Sequence, residues 1–249
     1  MDGIAPDGSP VAVYRALPAE PDLSRLRSVL PTGCSVLDLG AGVGRLANPL
    51  AAAGHQVVAV DESSEMLSHV QGPERIQADI WSLDLGRRFD AVLALSHLIN
   101  DPSRERRVEL LGVGRRHLRD GGVLVVQRYP PAWRPTDGSS TNGAVEIRLH
   151  DVVGRNGRFT AAVTYSVGSR SWSQPFEAAI VDDGELASLA VATGLIVTGY
   201  LDDERAWVSL TTAPYRPPVP TGQQVAGPAT GASVNQSHLV CIGSPRGCR

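Results

Sequence analysis

No stretch of eighteen or more apolar residues occurs in the 249-residue chain, so a membrane-spanning helix is not expected. An excess of basic charge is missing too: 23 Lys+Arg against 26 Asp+Glu leave a formal charge of −3 and a pI near 6.1. A protein that grips a polyanion normally shows a net basic face, which argues against DNA or RNA as partner. Cysteine is scarce. Cys34, Cys241 and Cys248 are odd in number, and none stands in CxxC or another ligand spacing, so free thiols, no disulfide framework and no metal are expected. The first twenty residues are acidic and proline-bearing and lack the basic-then-apolar order of an export signal, so a cytoplasmic protein is expected.

What the chain does have is enough apolar residue, 42%, to bury one sizeable core in one domain. Strand-length apolar runs alternate with helical patterns through the first half: SVLDL, RLANPLAAAG, QVVAV, SSEMLSHV, a weak strand at 75–78, a strong one at 89–95, a helix over 102–118 and the strand GGVLVVQR. That order predicts a parallel sheet covered on both faces. Asp101 before Pro102 reads as a helix start. Pro49 conflicts with its helical pattern and predicts a kink or a late start. Arg104, Arg106, Arg107, Arg115, Arg116 and Arg119, interleaved with Glu105 and Glu109, read as a solvated helix face.

After Arg128 the period becomes 2, with apolar residues alternating around 145–149, 159–167 and 172–180. Three antiparallel strands with one apolar face are expected, turned at Asn156-Gly157 and at Gly168, with Pro175 on an edge. That face needs a cover, as a lid or as a dimer interface. A helix over 183–193 ended by Gly194, then LIVTGY and AWVSLT, close the domain. From 213 to 249 the chain is rich in Pro, Gly, Ser and Thr without period and reads as a disordered tail.

The chemistry is carried by VLDLGAGVGR at 36–45. Gly40, Gly42 and Gly44 make GxGxG rather than the GxGxxG of a dinucleotide site, and Asp38 precedes them at the strand end. A pyrophosphate arriving at that turn would meet a fixed negative charge. An amino-acid-like group would instead find its amine matched to Asp38 and its carboxylate to backbone N–H groups.

These residues resemble the first motif of the class I S-adenosylmethionine-dependent methyltransferases, and the likeness continues over roughly 30–212. VVAVDESSEML places Asp61 at the end of the second strand, where the family grips the ribose, with Glu62 beside it and Met66 near adenine. RIQADI places Asp79 and Ile80 where the family meets the adenine amine and ring. The resemblance implies a Rossmann-like sheet of order 3-2-1-4-5-7-6 with an antiparallel β lid inserted after the fifth strand, at about 144–181. It further implies S-adenosyl-L-methionine as cofactor, S-adenosyl-L-homocysteine as product, and contacts from Asp38, Gly40, Ala41, Gly42, Asp61, Glu62, Met66, Asp79, Ile80 and Ser96. Asp79 as a surface-loop carboxylate is the competing reading.

Residues 1–29 then cover cofactor and substrate, with Tyr14 placed like the tyrosine many small-molecule members bring over the cofactor. His97, in SHLIND after the fourth strand, is the candidate base, with a bonded loop histidine as the alternative reading. Arg128 is assigned to a substrate carboxylate, and Tyr129, Trp133 and Trp172 to an apolar pocket, although packing competes for both tryptophans. SHLIN is not the [DNS]-P-P-[YFW] of amino-methylating DNA enzymes, and no Pro-Cys nucleophile of the cytosine C5 type is present. The expectation is a monomeric or homodimeric methyltransferase acting on a small molecule at N, O or C. The Ala, Arg, Gly, Val and Asp bias suggests bacterial natural-product tailoring. The rivals are a protein of the same fold that binds the cofactor for a cyclisation or rearrangement, a non-catalytic binding module, and a nicotinamide oxidoreductase.

Overall fold

The computed structural model describes residues 3–213; the expected tail, and with it Cys241 and Cys248, lies outside the described residues. Two short helices, α1 (Val11–Ala16) and α2 (Asp22–Arg27), precede β1 (Ser35–Leu39). The chain continues through α3 (Ala47–Ala52), β2 (Gln56–Asp61), α4 (Ser64–Leu67), β3 (Glu74–Gln77), β4 (Phe89–Ala94), α5 (Arg104–His117) and β5 (Leu118–Gln127). Then come four strands, β6 (Gly138–Asn142), β7 (Val145–Arg155), β8 (Arg158–Val167) and β9 (Arg170–Ala179), and finally α6 (Asp183–Ala192), β10 (Leu195–Tyr200) and β11 (Trp207–Thr212).

The main sheet has the order β3-β2-β1-β4-β5-β11-β10, with β11 antiparallel to both neighbours. Counted within that sheet, this is the expected 3-2-1-4-5-7-6. Strand alternation sends Leu37 and Leu39 to one face, against Leu110 and Leu111 of α5 and Leu186 and Leu189 of α6. Val36, Val57, Ala59 and Leu93 go to the other, against Leu23 and Leu26 of α2 and Leu50 of α3. Full burial of each such side chain stabilises by about 1.5–3 kcal/mol, which is why the parallel strands read as continuous apolar runs.

Local chemistry explains where the helices begin. The three glycines of the turn after β1 have φ of 71°, 55° and 79°, so helix cannot start before Ala47. Pro49 then falls in the first turn, where its missing N–H removes no intrahelical bond, and the late start resolves the conflict. α5 starts two residues later than Asp101-Pro102 suggests: Ser103 is the cap, its hydroxyl accepting from the Arg106 amide at 3.3 Å. The arginines there are not one solvated face. Arg107 is buried and paired with Glu185 at 2.6 Å, Arg106 stacks 4.1 Å over Trp81, and Arg119 belongs to β5.

The inserted sheet has four strands rather than three, ordered β6-β7-β8-β9 and antiparallel throughout. β6 reads GSSTN, with no apolar alternation to announce it, and it is held by its pairing to β7. The apolar face carries Val145, Ile147, Leu149, Phe159, Val163 and Phe176 and is covered within the chain by Val13 of α1 and by Tyr129. Asn156 and Gly157 both have positive φ, 52° and 76°, as a two-residue hairpin turn requires. β9 is an edge strand, which Pro175 tolerates.

Candidate active site

Connections from β1 run outward to β2 and β3 and then return to β4, so the crevice between the carboxyl ends of β1 and β4 is the switch point where ligands settle in such sheets. A cavity opens there, lined by Asp38, Gly40, Ala41, Gly42, Asp61, Met66 and Ser96 among the expected residues, with Tyr14 above them. Asp38 is 4% exposed. Burial raises its pKa to about 7, Arg45 opposing and Asp61 adding to the shift. A buried carboxyl poised this way ionises when a cation arrives beside it.

Asp61 builds the turn. Its Oδ2 accepts from the Gly42 amide and its Oδ1 from the Ser63 amide, both at 2.9 Å, while the Gly40 and Ala41 amides donate to Val60 O. Those donations correct one expectation: the amides of residues 40–42 are spent on β2 and do not wait for a carboxylate. The cation that lines the cavity instead is Arg45, anchored through Nη1 by Asp22 at 2.8 Å and the Pro18 carbonyl at 2.9 Å. An arginine one place after the third glycine was the available signal, but it reads as an ordinary solvated charge. The same is true of Asp7 and Ser9, which join the cavity from the N-terminal segment; Asp7 accepts from the Ser9 amide and hydroxyl at 3.0 and 2.9 Å.

Three expected cofactor residues stand elsewhere. Asp79 is exposed, its carboxylate accepting from the Trp81 amide at 3.0 Å and the Ser82 hydroxyl at 3.3 Å, so it closes its own turn. Ile80 is fully buried in the core. Glu62 offers its carbonyl to Gln77 at 3.1 Å and does not line the cavity. At that end Ala5 and Val11 pack on Val43 and Met66.

From the cavity the loop after β4 leads to the base of the inserted sheet. Ser96 and His97 are consecutive non-glycine residues at φ 53° and 61°, a conformation costing roughly 1–2 kcal/mol per residue. Gln127 Oε1 accepts from the Ser96 amide at 2.9 Å, and the His97 carbonyl accepts from the Asn100 amide at 2.9 Å, closing the single 3-10 turn Leu98–Asn100. The strain turns the His97 ring away from the cofactor crevice and lays it flat on Tyr129, centroids 4.3 Å apart and planes 12° from parallel. Tyr129 continues to Trp133 at 4.9 Å and Phe159 at 5.7 Å. Burial, with Tyr14 adding to it, holds the Tyr129 phenol far above its ordinary pKa, so it is neutral and no base.

Two substrate expectations fail on geometry. Arg128 is fully buried: Nε donates to Arg205 O at 3.0 Å, Nη1 to Val181 O at 2.9 Å and Nη2 to Asp183. Its fork is consumed in tying the inserted sheet to the strand pair beyond it. Burial opposes ionisation of Asp183, yet Arg128 and Arg205 hold that carboxyl below its usual value. Trp172 sits opposite Tyr165 near the β8–β9 turn with Arg170 over its ring at 5.3 Å, outside the cavity.

Residues 36–122 match a family model described as a methyltransferase domain. Over 107 residues the chain is 33% identical to cypemycin N-terminal methyltransferase from a Streptomyces species, covering 40% of this chain and 44% of that relative. The chain thus spans less than half the length of the curated relative it matches. The sugar N-methyltransferase KedS8 from Streptoalloteichus sp ATCC 53650 superposes with a TM-score of 0.62 at 20% identity, over 81% of this chain and 88% of that one. An S-adenosylmethionine-dependent methyltransferase from Clostridium acetobutylicum ATCC 824 gives 0.62 at 14% identity, over 81% and 92%. Among the described residues no helix is long and apolar enough to cross a membrane.

Proposed function

We propose, from the match of residues 36–122 to a methyltransferase-domain model, that this protein transfers a methyl group from S-adenosyl-L-methionine to an amine of a small metabolite. The carrying observation is the cavity at the β1–β4 crevice, where Asp38 stands over a glycine turn cinched by Asp61 and faced by Arg45. Bound there, S-adenosyl-L-methionine supplies an electrophilic methyl on sulfur. Asp38, once ionised, would hold the ammonium group, Arg45 the carboxylate, and Asp61, at the end of β2, the ribose hydroxyls. Tyr14 closes the cavity from above.

An amine suits the acceptor wall. Displacement at a sulfonium depends mostly on holding a nucleophile at near-attack distance in a dry site. A neutral amine already carries its lone pair and needs no base, whereas a phenol or acidic carbon does. Tyr129 is held neutral, so it supplies no phenolate base for a hydroxyl or carbon acceptor. Two of the similar proteins, an N-terminal methyltransferase and a sugar N-methyltransferase, support the same reading. Incubation with S-adenosyl-L-methionine and a panel of amino sugars and peptide N-termini, read by mass spectrometry, tests this. The expected result is one added methyl on an amine with stoichiometric S-adenosyl-L-homocysteine. Methylation confined to hydroxyls or carbon would overturn the acceptor, and no methylation of any acceptor would overturn the activity.

A further inference from the structure

The inserted sheet meets the rest of the molecule through a narrow neck, the chain entering at Tyr129 and leaving at Ala179. One buried side chain lies between the two strands of that neck. Asn100 is fully buried, and its Oδ1 accepts from the Tyr129 amide at 3.0 Å while its Nδ2 donates to the Ala179 carbonyl at 2.7 Å. Its own amide closes the turn onto the His97 carbonyl. A single residue thus bonds Tyr129 and the last residue of β9 through its carboxamide and His97 through its backbone amide. Asparagine is suited to this, because one terminus must donate and the other accept.

We propose that Asn100 is a positioning residue: it ties both ends of the inserted sheet to the loop after β4, and so fixes the position of the stacked His97–Tyr129 pair beside the cofactor cavity, which Ser96 and Leu98 line. The insertion is then a rigid wall and not a lid that swings. Three observations agree on rigidity. Both bonds of Asn100 are buried, Arg128 binds Val181 and Arg205 on the far side of the same neck, and Val13 of α1 packs into the apolar face of the sheet. Because Tyr129 is held by its backbone amide, its ring is placed by Asn100 without touching it, and the His97 ring follows by stacking. The cofactor cavity does not include Asn100, so a fault at Asn100 reaches the acceptor and spares the cofactor.

The test uses Asn100→Ala and Asn100→Asp in the full chain, with the exchange rate of the Tyr129 amide followed by NMR. In N100A that amide loses its acceptor and should exchange about 100-fold faster, with the central β1 and β4 amides unchanged. N100D keeps an acceptor for it and should stay within about tenfold of the wild type, although it loses the donor to Ala179. On the methyltransferase reading, N100A should raise KM for the amine acceptor about tenfold while KM for S-adenosyl-L-methionine stays within about threefold. An unchanged Tyr129 amide in N100A, or equal acceleration of β1 and β4 amides, would overturn the proposal, as would equal rises in both KM values. If the wild type turns over no amine, the methyltransferase reading fails by itself and the exchange rates still decide the role of Asn100.

Discussion

The two walls of the active site are built on different scales of the chain. On the cofactor side the decisive contacts are local: Asp61 reaches Gly42 across 19 positions and Ser63 across two. On the acceptor side they span much more, from Asn100 to Ala179 across 79 positions, from Arg128 to Val181 across 53 and to Arg205 across 77. A site assembled from one strand–turn–helix unit can be carried between proteins as a motif. One assembled from three distant segments is free to differ in each.

The largest expected effect is on the acceptor side. Arg128→Ala removes a fully buried guanidinium, leaves the Val181 and Arg205 carbonyls without its donors and leaves Asp183 paired with Arg205 and Tyr200 alone, and should cost about 3–5 kcal/mol, read as a fall in Tm. If R128A melts like the wild type, the neck is not where the inserted sheet is held and the contrast between walls collapses.

Asp38 gives the next effect, and its sign is set by burial. Its folded pKa of about 7 lies above the ordinary 3.8, so the folded state favours the neutral acid. The associated stability is fully present below about pH 4 and is lost as pH rises through about 7, on the order of 3–4 kcal/mol at most. Asp38→Asn should therefore flatten the decline in Tm between about pH 4 and 7. Cofactor affinity should run oppositely in the wild type, weakening as pH falls below about 7, because the ammonium needs the ionised carboxylate. A wild-type affinity flat across that range would show that Asp38 does not meet the cofactor amine.

Smaller effects sharpen the cofactor wall. At Gly42 a Cβ would meet nothing within 4 Å, so Gly42→Ala should cost only the φ of +55°, roughly 1–2 kcal/mol. At Gly44 the Cβ would lie 2.6 Å from Asn48 Oδ1, so Gly44→Ala should be the worse of the two by thermal melting. Asp79→Ala is expected to be the mildest. Its carboxylate is exposed and serves its own turn, so S-adenosyl-L-homocysteine affinity should change less than about twofold. A tenfold loss there would return Asp79 to the adenine contact that the resemblance implies.

What could be read from sequence follows the same division. The order of the sheet, the late start of α3 around Pro49, and the positions of Asp38, Asp61 and Met66 were legible because each rests on period, turn chemistry or a short motif. β6 was not, since GSSTN has no apolar side to betray a strand whose only support is β7. Arg128 was misread because an arginine after a strand end looks available until Val181, Asp183 and Arg205 are folded around it. Asn100 and Arg45 were missed for the same reason, their partners being distant in sequence. His97 was expected as a base at the crevice, but its ring stacks on Tyr129 outside the cavity lining, and the positive φ that accompanies this belongs to the folded loop and not to the motif.

Calorimetric titration of the protein with S-adenosyl-L-methionine, S-adenosyl-L-homocysteine and NADH, repeated with Asp61→Ala, tests the central claim most directly. Micromolar-order binding of both sulfur nucleosides, weakened at least about tenfold in the variant and absent for NADH, is the predicted result. Binding of NADH, or of neither sulfur nucleoside to the folded protein, would contradict it.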